Sequence, residues 1–132
     1  MHQHSLDGLT KNQSLVMSTL QDSEGPLTAY TILDNLRDDG FRAPLQVYRA
    51  LEKLIEIGVV HRLESLNAFV ACQHPNCDMH TTIAFTICNN CGNVAELSDD
   101  TLSDELKNIA QRQHFTLQKS AIELRGICGN CQ

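Results

Sequence analysis

Three apolar stripes with helical spacing occupy the first half of the chain. The first follows Thr10-Lys11-Asn12-Gln13, which fits a capping box, so we expect a helix over residues 10–21. The second repeats apolar residues at i, i+3, i+4 and i+7 through residues 29–36 and should end near Gly40. The third, residues 44–57, begins with a proline that suits a first helical turn and is followed by a glycine.

Short strand-like stretches follow the third stripe. Residues 59–63 and 67–72 are rich in β-branched and apolar side chains and flank the turn at residues 64–66, which predicts a hairpin. Three helices followed by a hairpin is the element order of a winged helix-turn-helix. Order alone is weak evidence for function.

The second half has its own pattern. Residues 83–88 and 94–97 resemble strands on either side of a Cys-Asn-Asn-Cys-Gly turn, and residues 122–125 alternate like another strand. Between them we expect a helix that runs to about residue 113. Ser98 would cap this helix, with two aspartates in its first turn.

A polar stretch separates the two halves and reads as a linker. We therefore predict an α+β protein with an N-terminal winged helix-turn-helix over residues 1–73, a hinge over residues 74–80 and a C-terminal α/β domain over residues 81–132. The whole chain has 132 residues, and each half is small enough to be marginally stable alone. We expect a metal, a disulfide or a partner subunit to stabilise them.

Composition narrows the class of protein. The first residues lack a secretory signal and no apolar run approaches the roughly 20 residues of a membrane span, so we expect an intracellular protein of the cytoplasm. Paired cysteines in that compartment more often bind metal or act in redox chemistry than form structural disulfides. The net charge of −6 argues against indiscriminate binding to nucleic acid but leaves a regulated DNA-binding protein possible.

The strongest chemical signal is a pair of CxxC motifs, Cys88/Cys91 and Cys128/Cys131. Two such knuckles supply the four sulfurs of a closed, structural zinc site. Residues 92–127 separate the knuckles, a longer gap than in a zinc ribbon, and hold a strand, a helix and another strand. The alternatives are two redox-active pairs or unrelated buried cysteines.

A second, looser set of potential metal ligands surrounds the linker. Its members are His61, Cys72, His74, Cys77, His80 and Glu96. Mixed nitrogen, sulfur and oxygen ligands suit zinc, and ligands drawn from both halves would make metal occupancy report on their relative orientation. Polar surface residues of a linker are the alternative.

The third helix presents Gln46, Tyr48, Arg49 and Lys53 beside or away from its apolar stripe. Arginine can bind a guanine edge through two hydrogen bonds, and tyrosine can lie against a thymine methyl group or a phosphate. A major groove admits one helix, so this face can read DNA. A solvated helical face is the alternative.

Ala43-Pro44-Leu45-Gln46-Val47-Tyr48-Arg49-Ala50-Leu51, followed by Gly58-Val59-Val60-His61, resembles the ferric uptake regulator family. Thr28-Ala29-Tyr30, the hairpin and the paired knuckles are similar to its zinc uptake regulator branch. The resemblance spans nearly the whole chain. It implies a homodimer that uses zinc as corepressor and binds palindromic operators of zinc-acquisition genes in bacteria.

The same resemblance implies roles for individual residues. Cys88, Cys91, Cys128 and Cys131 match the structural zinc site. His61, Cys72, His80 and Glu96 match the regulatory zinc site, with His74 or Cys77 as alternates for His80. Tyr48 and Arg49 match base-contacting residues, and Tyr30 matches a position that contacts the DNA backbone. Gln46 and Lys53 are further candidate DNA-binding residues because of their place on the third helix. Lys119 stands where some relatives place a third-site histidine, so we expect two zinc sites per subunit.

Parts of the sequence are also compatible with other functions. Within the family, the protein could sense iron or manganese, although a cysteine ligand favours zinc. Outside it, the CxxC pairs could form a thiol redox sensor. A zinc deaminase requires His-x-Glu with Pro-Cys-x-x-Cys; His-x-Glu is absent and Ile87 precedes Cys88, so we expect no enzyme activity.

Overall fold

The structure is a computed structural model that describes residues 8–72, 82–97 and 99–132. It divides into two units, Met1–Asp78 and Met79–Gln132. The predicted hinge over residues 74–80 lies outside the described residues.

The first unit has the element order of a winged helix. It consists of α1 (Lys11–Gln21), α2 (Ala29–Leu36), a 3-10 turn (Arg37–Asp39), α3 (Pro44–Glu56), β1 (Val60–Leu63) and β2 (Ala68–Ala71). β1 and β2 pair antiparallel, with Val60 opposite Ala71 and Leu63 opposite Ala68. The predicted three helices and hairpin are confirmed.

Local hydrogen bonds explain where the helices begin and end. The Thr10 hydroxyl accepts a hydrogen bond from the Gln13 N–H at 3.1 Å, and the Gln13 side-chain oxygen accepts one from the Thr10 N–H at 3.0 Å. This is the predicted capping box. α2 ends at Leu36, earlier than expected, because a 3-10 turn intervenes before Gly40, whose φ of 101° favours glycine.

The apolar faces of the three helices and the hairpin form one core. Its fully buried side chains are Val16, Ile32, Leu33, Phe41, Val47, Leu51, Leu54, Val60 and Leu63. Each contributes about 1.5–3 kcal/mol relative to an exposed position. Leu27 and Phe69 exchange backbone hydrogen bonds of 3.0 and 2.8 Å, which attach the hairpin to the segment before α2.

The second unit is a small sheet connected through a helix. It consists of β3 (Thr82–Cys88), β4 (Val94–Leu97), α4 (Asp100–Arg112) and β5 (Ser120–Gly126), with strand order β4-β3-β5. β4 is antiparallel to β3, whereas β5 is parallel to it. A parallel neighbour needs a crossover connection, which α4 supplies.

The start of α4 corrects one sequence prediction. Asp99, rather than Ser98, is the N-cap: its carboxylate accepts hydrogen bonds from the N–H groups of Thr101 at 2.8 Å and Leu102 at 3.2 Å. A carboxylate at this position also interacts favourably with the positive end of the helix dipole. Ser98 itself lies outside the described residues.

The second unit buries few side chains. Among its described residues, the buried apolar ones are Ala84, Phe85, Ile87, Cys88 and Ala110, whereas Leu97, Ile109, Phe115, Leu124 and Ile127 are exposed. A core of this size cannot by itself offset the entropy of ordering the chain. No helix in the described part of the chain is long and apolar enough to cross a bilayer.

Candidate metal centre and nucleic-acid interface

The four knuckle cysteines lie together at one end of the second sheet. Cys88 is the last residue of β3 and pairs in register with Gly126, the last residue of β5. Because these strands are parallel, the turns that follow them project from the same edge. The four sulfur atoms all lie within 4.8 Å of one another, and those of Cys91 and Cys128 are 3.7 Å apart.

Backbone N–H groups surround the buried Cys88 sulfur. Those of Asn90 and Cys91 donate to it at 3.4 Å, and that of Cys128 donates at 3.3 Å. The Cys91 and Cys128 donors are the main causes that lower the pKa of Cys88 from 9.0 to about 6, against the opposing effect of burial. The metal-free cluster therefore holds a thiolate at Cys88 at neutral pH.

The pKa of Cys131 is shifted in the opposite direction. A hydrogen bond with the Asn90 side chain lowers its pKa, but hydrogen bonds with the neighbouring thiols, chiefly Cys128, and burial outweigh it and raise the pKa to about 11. The Cys131 thiol thus keeps its proton while Cys88 carries the charge. A cation bound among the four sulfurs would favour the thiolate form of Cys131 as well as that of Cys88.

The donor set fits a tetrahedral zinc ion. Zinc–sulfur bonds of about 2.3 Å place the sulfurs of a tetrahedron about 3.8 Å apart, close to the separation of the Cys91 and Cys128 sulfurs. All four cysteines are free thiols. A site with four protein sulfurs leaves no position for a substrate, so it suits a structural rather than a catalytic metal.

Two members of the second predicted ligand set are neighbours in the first unit. His61 lies on β1 opposite Val70, and Cys72 follows β2, where its N–H donates to the Val59 carbonyl at 2.9 Å. Alternation along the strands puts both side chains on one face as diagonal neighbours. A ring nitrogen of His61 and the Cys72 sulfur lie within 4.8 Å of each other.

The chemical state of these two residues bears on metal binding. His61 is 6% exposed, and among the residues that the structure describes it is the one polar or charged residue that is buried. Cys72 is disulfide-bonded in the structure. Its sulfur can bind a metal only after reduction, because the thiolate is the ligand.

The other predicted ligands belong to the second unit or to the linker. Glu96 is half-buried on β4 of the second unit, opposite Phe85. His74, Cys77 and His80 lie outside the described residues.

The predicted DNA-reading residues occupy different environments on α2 and α3. Tyr30 is 63% exposed in the first turn of α2, and Arg49 is exposed on α3. Tyr48 is half-buried, its ring packed edge-on against Phe69 at 6.5 Å between centroids. The Lys53 ammonium group binds Glu56 at 3.2 Å.

Gln46 has a structural role that was not predicted from the sequence. Its side-chain oxygen accepts hydrogen bonds from the N–H groups of Arg42 at 2.7 Å and Ala43 at 3.0 Å. Glutamine at the third helical position can return to the backbone in this way, as in a capping box. That signal was present at Gln46 as it was at Gln13.

Sequence reasoning also missed Asn90, whose N–H and side chain contact two of the cysteines. A residue between the two cysteines of a knuckle is placed to donate to sulfur, and this position could have been anticipated.

The chain is similar to characterised regulators over most of its length. The model of the ferric uptake regulator family matches residues 8–125. The zinc uptake regulation protein of Escherichia coli strain K12 is 36% identical over 124 residues, which cover 93% of this chain and 72% of that protein.

The chain is also similar to solved structures of such regulators. A zinc uptake regulator complexed with zinc and DNA has a TM-score of 0.86 and 35% identity, covering 93% of this chain and 82% of that chain. Holo XcZur has a TM-score of 0.85 and 39% identity, covering 96% and 89%. The protein described here therefore belongs to the ferric uptake regulator family.

Proposed function

We propose that the protein is a zinc-responsive transcriptional repressor of zinc-uptake genes. In this proposal a homodimer binds palindromic operator DNA when zinc occupies a second, regulatory site in each subunit. The observation that carries it is the similarity, over 93% of the chain, to a zinc uptake regulator solved with zinc and DNA. The protein acts by binding and not as an enzyme.

We assign Cys88, Cys91, Cys128 and Cys131 to a permanent structural zinc site. Their four sulfurs lie within 4.8 Å of one another, and the unit that contains them has a small core. Binding free energy at such a site adds directly to folding free energy.

We assign His61, Cys72, His80 and Glu96 to the regulatory site, with His74 and Cys77 as alternates for His80. The support within the described residues is the buried His61 beside Cys72 on one face of the hairpin. A thiolate among the ligands favours zinc over iron(II) or manganese(II), which prefer harder donors. Two zinc ions per subunit follow from this assignment.

The second unit supplies the surface for the homodimer. Five of its large apolar side chains, Leu97, Ile109, Phe115, Leu124 and Ile127, are 37–62% exposed in the single chain. Exposed apolar side chains concentrated on one small unit are typical of a protein–protein interface. A two-fold dimer then presents two copies of α3 to the two halves of a palindrome.

The regulatory site would act on DNA binding through geometry. The two recognition helices of a dimer must match half-sites about 34–36 Å apart, or a multiple of this spacing. Ligands contributed by both units would favour the arrangement with that spacing. By thermodynamic linkage, operator DNA would tighten zinc binding by the same factor by which zinc tightens DNA binding.

A DNA-binding titration tests the proposal. The zinc-loaded protein first selects duplexes from a randomised library, and fluorescence anisotropy then measures the affinity for a selected duplex. We expect removal of the exchangeable zinc by a mild chelator to weaken binding by a factor in the range of about 5–150, the usual span of allosteric coupling. Equal affinity with zinc and with chelator would rule the switch out.

The Cys72→Ser variant is the matched control for the titration. It should keep the structural zinc and bind the duplex weakly under both conditions. Zinc content measured on the same samples shows that the chelator has left the four-cysteine site intact.

A further inference from the structure

The surface of α3 opposite its buried stripe differs in chemistry between the N-terminal half and the C-terminal half of the helix. The buried stripe is Val47, Ala50, Leu51 and Leu54. At 100° per residue, the opposite face carries Leu45, Arg49, Glu52, Lys53 and Glu56, all exposed. Leu45 is 56% exposed, an unusual environment for a large apolar side chain on a helix whose other leucines are buried.

The two residues that flank this face are engaged within the protein. The Gln46 side-chain oxygen accepts from two backbone N–H groups in the turn before α3. The Tyr48 ring packs against Phe69. Leu45 and Arg49, one helical turn apart, are thus the side chains of the N-terminal half that point away from the core. Arg49 forms no ion pair with a residue in the described ranges.

The C-terminal half of the face is unsuited to approach DNA. Glu52 and Glu56 lie there, and Lys53 is already paired with Glu56 at 3.2 Å. Carboxylates repel phosphates, whereas the N-terminal end of a helix carries the positive end of the dipole. The helix would therefore enter a groove with its first two turns, where Leu45 and Arg49 lie.

Building on the proposed function, we propose that Leu45 is a specificity-determining residue that packs against the methyl group of a thymine. Thymine alone among the bases places a methyl group in the major groove, and apolar side chains recognise it. Arg49, the neighbouring side chain, would bind a guanine. Residues four apart on a helix are separated by about 6 Å along its axis. Successive base pairs are about 3.4 Å apart, so the thymine lies within about two base pairs of that guanine.

Replacing thymine by uracil in the DNA isolates this contact, because uracil pairs identically and lacks the methyl group. The probe is a duplex selected from a randomised library by the zinc-loaded wild-type protein, with each thymine replaced in turn in both half-sites. We expect one replacement to weaken wild-type binding by about fourfold per half-site, the contribution of one buried methyl group. The Leu45→Ala variant should bind the unmodified duplex more weakly by a similar factor and lose sensitivity to that replacement alone.

Two further variants separate a base contact from a general loss of affinity. Leu45→Met keeps an apolar side chain and should retain the uracil effect. Arg49→Ala should bind more weakly and still retain it, because Leu45 is intact. In a double-mutant cycle, non-additivity confined to the pair of Leu45 and one thymine supports direct contact.

Two results would overturn the inference, and they differ from failure of the proposed function. Wild-type binding that is unaffected by uracil at every position would show that no methyl group is read. A Leu45→Ala variant with undiminished sensitivity to uracil would show that another residue reads it. If the zinc-loaded protein enriches no sequence from the library, the proposed function itself fails and the inference falls with it.

Discussion

The backbone N–H of Cys128 donates a hydrogen bond of 3.3 Å to the sulfur of Cys88, although residues 89–127 separate the two cysteines. The contact joins the ends of β3 and β5, the parallel pair of the second sheet. A metal bound by both knuckles would close a loop that contains β4, α4 and β5. Loss of one sulfur would reopen that loop and remove the cross-link from the unit with the smaller core.

We predict that Cys128→Ser removes the structural zinc and the ordered fold of the second unit. The zinc that is retained after a mild chelator should fall to less than one ion per chain, and circular dichroism should show reduced structure with a lower melting temperature. Zinc binding free energy is folding free energy in such sites, which makes the loss large.

The matched control for Cys128→Ser is Cys72→Ser. Cys72 lies in the first unit, outside the four-sulfur cluster, so under reducing conditions this variant should keep one tightly bound zinc and the melting transition of the reduced wild type. If both variants unfold alike, or both fold alike, the division into a structural and a regulatory site is wrong.

We predict that the zinc affinity of the four-cysteine site rises with pH. In the metal-free cluster the pKa of Cys131 is raised to about 11, so zinc binding must expel its proton at any lower pH. Each released proton gives a tenfold rise in affinity per pH unit. The pKa of Cys88 is lowered to about 6, so its proton contributes only below that pH and the dependence becomes steeper there.

Competition with a chelator of known pH dependence, between pH 5.5 and 8, measures this slope. The log of the zinc affinity should rise by at least about one per pH unit. A flat profile across this range would show that the cluster is already fully deprotonated before metal binds.

Much of the fold can be predicted from the sequence where the signal is local. The Thr10–Gln13 capping box, the proline at the start of α3 and the hairpin each depend on residues close in the chain. Neighbouring alternatives of similar chemistry are harder to separate. Ser98 and Asp99 are both good caps, and the carboxylate of Asp99 is the one that accepts the N–H groups.

In the candidate site, too, some features can be predicted from local sequence signals and others cannot. The CxxC spacing predicts the grouping of the four sulfurs, because a tight turn brings each pair together. The role of Gln46 was not predicted, because an exposed polar residue on a recognition helix can serve either the backbone or DNA. The nearby N–H groups of Arg42 and Ala43 determine which role its oxygen takes in the structure.

We predict that Gln46→Ala lowers the free energy of unfolding of the first unit by about 1 kcal/mol, the usual cost of losing a capping acceptor. Gln46→Glu keeps an oxygen in place and should stay closer to wild type. Denaturant unfolding of both variants checks this. Identical stability of Gln46→Ala and wild type would show that the two hydrogen bonds contribute nothing.

We predict that Arg49→Ala reduces discrimination between the selected duplex and one altered at a single guanine by about 1–3 kcal/mol. This is the range for a bidentate arginine–guanine contact, in which arginine donates two hydrogen bonds to the base. Lys53→Ala should have a smaller effect, uniform across sequences, because its ammonium group is paired with Glu56. Anisotropy titrations at fixed salt compare the two. A uniform loss for Arg49→Ala would assign it to the phosphates instead.

Native mass spectrometry of the reduced protein, before and after treatment with a mild chelator, tests most directly whether one zinc is permanent and another exchanges. The account predicts two zinc ions per chain at saturation and one after the chelator, with the retained ion absent from Cys128→Ser. A chain that retains no zinc after the chelator, or that never binds more than one, would contradict it.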